Sequence, residues 1–243
     1  MSKTLSIVIP AYNEEKFIGA LLDKLVVLPV ESLGYTKELI VVDDGSKDRT
    51  SEVAGRYADV RLVRQQNQGK GAAVQHGIKS ATGTYILIQD ADLEYDPNDI
   101  LVMLKKLNEH PEASIYGSRI LGERCSGRGG LSRFGKNPEQ SFGPWLANVI
   151  LSVCGLLLYG QWITDLLTGY KIYPRELFLQ TKILTKGFET DHEITAKLKR
   201  RGIPIYEVPV SYRPRSVAEG KKIRVSDGFK AVLTLLRFRF ARP

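Results

Sequence analysis

Five short apolar runs, "LSIVI" (5–9), "ELIVV" (38–42), "VRLV" (60–63), "TYILI" (84–88) and "ASIYG" (113–117), dominate the first half of the chain. Their Ile, Val and Leu content without strict alternation is that of strands covered on both faces, as in parallel sheets. Helical spacing intervenes. Ile18, Leu21, Leu22 and Leu25 recur at i, i+3, i+4 and i+7 behind Asn13, which is read as the cap, and "PNDILVMLKKLNEH" places Pro97 near a helix start. Such βαβα order predicts a doubly wound α/β sandwich with its ligand site at the carboxyl ends of the strands. Residues 119–143 carry six glycines and four arginines, and read as a mobile functional loop too long for an ordinary connection.

The 243 residues, 43% hydrophobic and 26% charged, suffice for one folded unit spanning 1–243. Within it, the chain divides into halves at 1–118 and 119–243. Cys125 and Cys154 lie far apart with no metal spacing, and His76, His110 and His192 form no ligand set. With an N-terminus unlike a signal peptide, this fits a cytoplasmic protein. The net charge of +8 is concentrated: residues 221–243 hold seven Lys/Arg against one acid. No nucleic-acid-binding motif accompanies that charge, and acids at strand ends repel phosphate. Residues Trp145–Gly160 form a 16-residue apolar run, shorter than a membrane span, that is either core or a membrane contact. Near the C-terminus Phe229, Val232, Leu233, Leu236 and Phe240 share one stripe, flanked by Lys230, Arg237, Arg239 and Arg242. It is either the last core helix or a surface for anionic lipid.

The strand "TYILI" delivers Gln89, Asp90, Ala91 and Asp92 to the sheet edge, with both carboxylates on one side by the two-residue period. Paired hard oxygens in a cleft suit Mg²⁺ or Mn²⁺; the alternative is that they cap the next turn. Two further clusters follow strands: Asp43, Asp44 and Gly45, and Gly69, Lys70 and Gly71 at a loop-to-helix junction where an anion would be favoured. Val74 replaces the third glycine of a dinucleotide fingerprint and no P-loop pattern occurs, so neither reading holds.

In order and spacing, "SIVIPAYNEE", "LIVVDDGSKDRT", "NQGKGAAVQHG", "ILIQDADLEYDP", "YGSR", "TDLLTGYKIYPREL" and "EVPVSYRPRSVAEGKKI" resemble the family 2 glycosyltransferases. Within them the similarity is greatest to the polyprenyl-phosphate branch that includes dolichyl-phosphate mannose synthases. The resemblance covers nearly the whole chain and implies a nucleotide-sugar-binding half, 1–118, and an acceptor-side half, 119–243. It implies a GT-A fold, a Rossmann-like sandwich on a mainly parallel sheet, with a divalent cation. It also implies a nucleoside diphosphate sugar donor of the GDP-mannose or UDP-glucose type, a polyprenyl phosphate acceptor, and a peripheral position at the cytoplasmic face of a membrane. Carried over by position, Pro10, Ala11, Tyr12 and Glu14 border the nucleobase and Asp43 meets base or ribose. Lys70, Gln89 and Ala91 lie along the nucleotide, Asp90 meets ribose or a metal-bound water, and Asp92 ligates the metal. Arg119 and Arg133 attend the diphosphate and the acceptor phosphate, with Arg213, Arg215, Lys221 and Lys222 as further cations. Many relatives carry C-terminal transmembrane helices that this chain lacks, which keeps a soluble enzyme with a hydroxyl acceptor, and a non-catalytic scaffold, as alternatives. For a hydroxyl acceptor Asp191 or Glu193 would be the base, although acids are also favoured electrostatically at a helix start.

Overall fold

A computed structural model describes residues 3–125, 142–214 and 225–241. Alternation along the central strand sets the layers. In β1 (Lys3–Ala11), Ile7 and Ile9 face one side and Val8 the other, and all three are fully buried. The first face takes α1 (Ile18–Val26) and α4 (Asp99–Glu109), through Leu21, Leu25, Met103 and Leu107. The second takes α3 (Lys70–Ser80), α8 (Thr190–Arg200) and α9 (Val225–Phe240), through Val74, Ile194, Leu198, Leu235 and Phe238. A side chain at Gly77 would collide with Val8, so that glycine lets α3 lie close against the sheet.

The other strands are β2 (Tyr35–Asp43), β3 (Val60–Arg64), β4 (Tyr85–Ile88), β5 (Ser114–Ser118), β6 (Lys171–Pro174) and β7 (Ile205–Pro209). Their order is β3-β2-β1-β4-β6-β5-β7. β1 pairs in parallel with β2 and β4, as β2 does with β3 and β5 with β7; β6 alone runs antiparallel, between β4 and β5. The remaining helices are α2 (Thr50–Ala54), α5 (Arg119–Cys125), α6 (Phe142–Tyr159) and α7 (Glu176–Leu179).

Two local expectations change. Asn13 does not cap α1: it adopts a left-handed φ of 54°, its Oδ1 accepts the Lys47 amide at 2.8 Å, and its own amide donates to Ser46 Oγ at 3.0 Å. The residue ties the end of β1 to the loop after β2, and α1 starts only at Ile18. The stretch 119–143 is not irregular throughout, since α5 fills its start and α6 begins at Phe142. Ser118 Oγ accepts the Leu121 amide at 3.1 Å, and a side chain at Gly122 would strike the Val210 backbone, so α5 packs directly beside the end of β7.

Most of the C-terminal stripe is not core. Phe229, Leu233, Leu236 and Phe240 are exposed, Val232 is half-buried against the core, and Ala231, Leu235 and Phe238 on the opposite side of α9 are buried. No helix among the described residues is long and apolar enough to cross a membrane.

Candidate active site

A cleft of about 320 Å³ opens where β1, β2 and β4 end. Pro10, Ala11, Tyr12 and Glu14 form one wall, and Lys70, Asp90, Ala91 and Asp92 another. These eight are the residues that the resemblance places around a nucleotide sugar and a metal, and the fold brings them together. Asp44, Asn67, Glu94 and Phe188 also line the cleft and were not expected there.

The acidic turn is built tightly. Leu93, immediately after Asp92, has a left-handed φ of 58°, which a branched apolar residue adopts only under tertiary constraint. Asp92 Oδ1 accepts the Glu94 amide at 3.1 Å, so the second carboxylate is held by the turn it begins. Asp90 meets Lys70 across the cleft, Nζ to Oδ1 at 2.6 Å, and the ammonium also lies 5.6 Å from the centre of the Phe188 ring. Burial pulls the Lys70 pKa down, but the charges of Asp90 and then Asp191 outweigh it and hold the group above its ordinary value. The cleft therefore keeps a fixed cation beside its carboxylates at any physiological pH.

Two residues expected at the cleft are not on its lining, one of them replaced by its neighbour. Asp43 is not on the cleft lining: its carboxylate accepts the Ser46 amide at 2.9 Å and the Ser51 hydroxyl, and so stabilises the turn into α2. The neighbouring Asp44 lines the cleft instead, accepting Gln65 Nε2 at 2.7 Å and the amides of Gln68 at 2.9 Å and Gly69 at 2.8 Å. That carboxylate sets the loop that presents Lys70. Gln89 is also off the lining; it is fully buried, with Nε2 donating to the Asp90 carbonyl at 3.1 Å and Oε1 without a partner among the described residues.

Arg119 opens α5 with its charge already matched. Its Nε and Nη2 donate to Asp165 Oδ2 at 2.7 Å and Oδ1 at 2.8 Å, and its guanidinium covers the Tyr212 ring at 4.8 Å. Burial opposes the charge and Asp165 more than restores it. Arg213 is exposed and lies off the lining, its amide donating to the carbonyl of the cleft residue Glu94 at 2.9 Å. Arg133, Arg215, Lys221, Lys222 and Arg242 fall outside the described residues. Of the two acids at the start of α8, Glu193 is structural: fully buried, it accepts the amides of Leu184 at 2.8 Å and Thr185 at 2.7 Å and pairs with Lys197. Asp191 acts on the cleft through its field at Lys70.

No group of three or more His, Cys, Asp or Glu among the described residues could by itself enclose a metal. One or two carboxylates at a cleft are nonetheless the donor set with which Mg²⁺ or Mn²⁺ bridges protein to a phosphate, water supplying the rest. Asp92 and Asp90 fit that role.

Acidic strand ends, a half-buried cation and a cleft at the carboxyl edge of a mostly parallel sheet accompany a GT-A fold, the fold of a class of glycosyltransferases. A family model for "Glycosyl transferase family 2" matches residues 6–178, and the chain belongs to that family. It is 32% identical over 250 residues to the dolichyl-phosphate beta-glucosyltransferase ALG5D of Trichomonas vaginalis, covering 96% of this chain and 72% of the relative. Among solved structures, the glucosyl-3-phosphoglycerate synthase of Mycobacterium tuberculosis, crystallised with Mn²⁺, UDP and phosphoglyceric acid, superposes with TM-score 0.70 at 21% identity, over 99% of this chain and 80% of that one. The mannosyl-3-phosphoglycerate synthase of Rubrobacter xylanophilus gives TM-score 0.71 at 20% identity, over 97% and 73%. At these identities the solved structures bear on the fold alone.

Proposed function

We propose that the protein transfers one hexose, with inversion, from a nucleoside diphosphate sugar to a polyprenyl phosphate at the cytoplasmic face of a membrane. The observation that carries this reading is the convergence of Asp90, Asp92 and Lys70 on one cleft at the carboxyl edge of the sheet. The name of the Trichomonas relative favours glucose over mannose as the hexose.

In this reading the base lies along the wall of Pro10, Ala11 and Tyr12, where an aromatic face offers stacking. The diphosphate points to Lys70 and the acidic turn. Asp92, with Asp90, would hold a divalent cation, which would supply positive charge to offset that of the departing diphosphate. Lys70 contributes a second, permanent positive charge at the same place, preorganised by Asp90. An acceptor phosphate is already an anion near neutral pH, so approach to C1 from the face opposite the leaving group needs alignment more than a base. A hydroxyl acceptor would instead call on Asp191, whose field reaches the cleft.

The test is a donor panel of GDP-mannose, UDP-glucose and their base-swapped counterparts, each assayed with a polyprenyl phosphate and with simple polyols. Formation of a polyprenyl phosphate hexose from one donor supports the reading. Transfer to polyols alone would replace it with the hydroxyl mechanism, and no turnover with any pair would leave a non-catalytic scaffold.

A further inference from the structure

Among the described residues, 13 large apolar side chains are exposed; five stand on α6 and four on α9. These two helices run side by side in the same direction. Near their starts Gly228 faces Ala147, and near their ends Tyr159 Oη donates to the Leu235 carbonyl at 2.7 Å and Arg239 Nε to the Leu158 carbonyl at 2.7 Å. On α6, Leu146, Ile150, Val153 and Leu157 are spaced i, i+4, i+7 and i+11; on α9, Phe229, Leu233, Leu236 and Phe240 have the same spacing. At 100° per residue each stripe lies about a quarter turn from the helix–helix seam and away from the core side. The stripes therefore flank the seam on its outer side and form one apolar surface two helices wide, far more ordered than scattered exposed leucines.

We infer that this α6–α9 face is a docking platform for an anionic lipid bilayer. Charge argues for that occupant. α6 carries no ionisable acid or base apart from Tyr159 and Cys154, whereas Lys230, Arg237 and Arg239 are exposed along α9 beside its stripe. Apolar side chains at the acyl boundary with basic groups at headgroup level are the arrangement of a helix lying in the membrane interface. A second copy of the chain fits less well, because a two-fold contact across this face would bring one basic rim against another with no carboxylate on α6 to offset it.

The opposite side of α6 holds the segment beside Arg119. Asn148 Nδ2 donates to the Thr164 carbonyl at 2.8 Å and its Oδ1 accepts the Leu166 amide at 3.1 Å, holding the segment that carries Asp165, the partner of Arg119. One helix thus presents lipid-type chemistry outward and supports the neighbourhood of the cleft inward. For a lipid-borne acceptor, as in the function proposed above, this fixes which side of the protein meets the membrane.

The experiment is sedimentation with vesicles of phosphatidylcholine alone and of phosphatidylcholine with phosphatidylglycerol, both free of polyprenyl phosphate and sugar nucleotide. Its outcome is then independent of what the enzyme transfers. The full chain should sediment with the anionic vesicles, and about 1 M salt should release most of it. Ile150→Glu with Leu157→Glu on α6, and Phe229→Glu with Leu233→Glu on α9, should each weaken partition at least about tenfold, since each pair removes two buried apolar side chains from the contact. Val102→Glu, an exposed apolar site on α4 away from the face, should bind as the parent does. Should a pair fail to fold by circular dichroism, Leu157→Glu alone is the decisive variant, because that side chain is 78% exposed. Parental binding by the α6 variant overturns the platform. So does a parent that ignores anionic vesicles but forms a dimer that the α6 pair dissociates.

Discussion

Gly169 lies against the ion pair at the heart of the cleft: a Cβ on it would stand 2.7 Å from Asp90 Oδ2 and 3.7 Å from Lys70 Nζ. The residue just before buried Tyr170 therefore limits where the Asp90 carboxylate can sit. Gly169→Ala should push that carboxylate aside and lower kcat/KM about 10- to 100-fold, the scale of an ångström of misplacement in a reacting site. Steady-state kinetics together with an unchanged melting temperature would separate this from unfolding. Parental kinetics would show that the pair tolerates displacement.

Asp92→Asn keeps the shape of the turn and removes one charge. We expect turnover in Mg²⁺ or Mn²⁺ to fall by about 10²-fold or more. The rise in melting temperature that Mn²⁺ plus a nucleoside diphosphate gives the parent should vanish in the same variant. A retained thermal shift would move the metal to another ligand.

The Arg119–Asp165 pair makes a stability prediction. The Asp165 side chain is 1% exposed and that of Arg119 15%, so Asp165→Ala leaves a guanidinium with little water and no counter-charge. A loss of about 3 kcal/mol in urea unfolding is expected. Arg119→Lys should also destabilise, because an ammonium cannot reproduce the two-pronged contact. A change below about 0.5 kcal/mol in both variants would place the pair among ordinary surface ion pairs.

His192 predicts a pH dependence. The ring is buried, neither nitrogen has a hydrogen-bond partner among the described residues, and burial, followed by the charge of Lys171, pulls its pKa from 6.5 to about 3. Below pH 6.5 the unfolded chain gains a proton that the folded chain refuses, so stability falls as pH drops toward 3. The slope approaches about 1.4 kcal/mol per pH unit for this one group. Urea midpoints at pH 7 and pH 5 should show the loss in the parent and a smaller one in His192→Leu. Equal losses would assign the effect to other groups.

Much of this was legible because strands covered on both faces announce themselves by composition. The runs at 5–9, 38–42, 60–63, 84–88 and 113–117 fall within or one residue outside β1 to β5. β6 and β7 were missed for a physical reason. "KIYP" is four residues long, opens on a lysine that is buried nonetheless, and runs antiparallel, and "IYEVP" carries a glutamate whose partner is an irregular segment rather than solvent. The acidic turn and Lys70 were readable only through the joint order of several motifs, because paired carboxylates at a strand end also serve to hold turns, as Asp43 and Asp92 do. The choice between Asp43 and Asp44 was not, since adjacent residues differ only in which way the turn after β2 points them. Phe188 reaches the cleft from the loop before α8, and its sequence setting gives no sign of that. On α9, periodicity identified the amphipathic stripe but not its direction: Ala231, Leu235 and Phe238 are apolar too, and only packing selects the inner side.

Residues 164–167 have neither helix nor strand, yet all four of their amides are engaged by two side chains. Glu207 accepts the amides of Thr164 at 2.8 Å and Asp165 at 3.1 Å, while Asn148 accepts those of Leu166 at 3.1 Å and Leu167 at 3.4 Å. In amide hydrogen exchange this stretch should behave like a strand, with protons retained on the timescale of global opening rather than of loop motion. Its slow exchange would be set by a carboxylate on β7 and an amide on α6. Asn148→Ala should therefore release the protons at 166 and 167 while leaving those at 164 and 165 protected, dividing four consecutive amides into two kinetic classes.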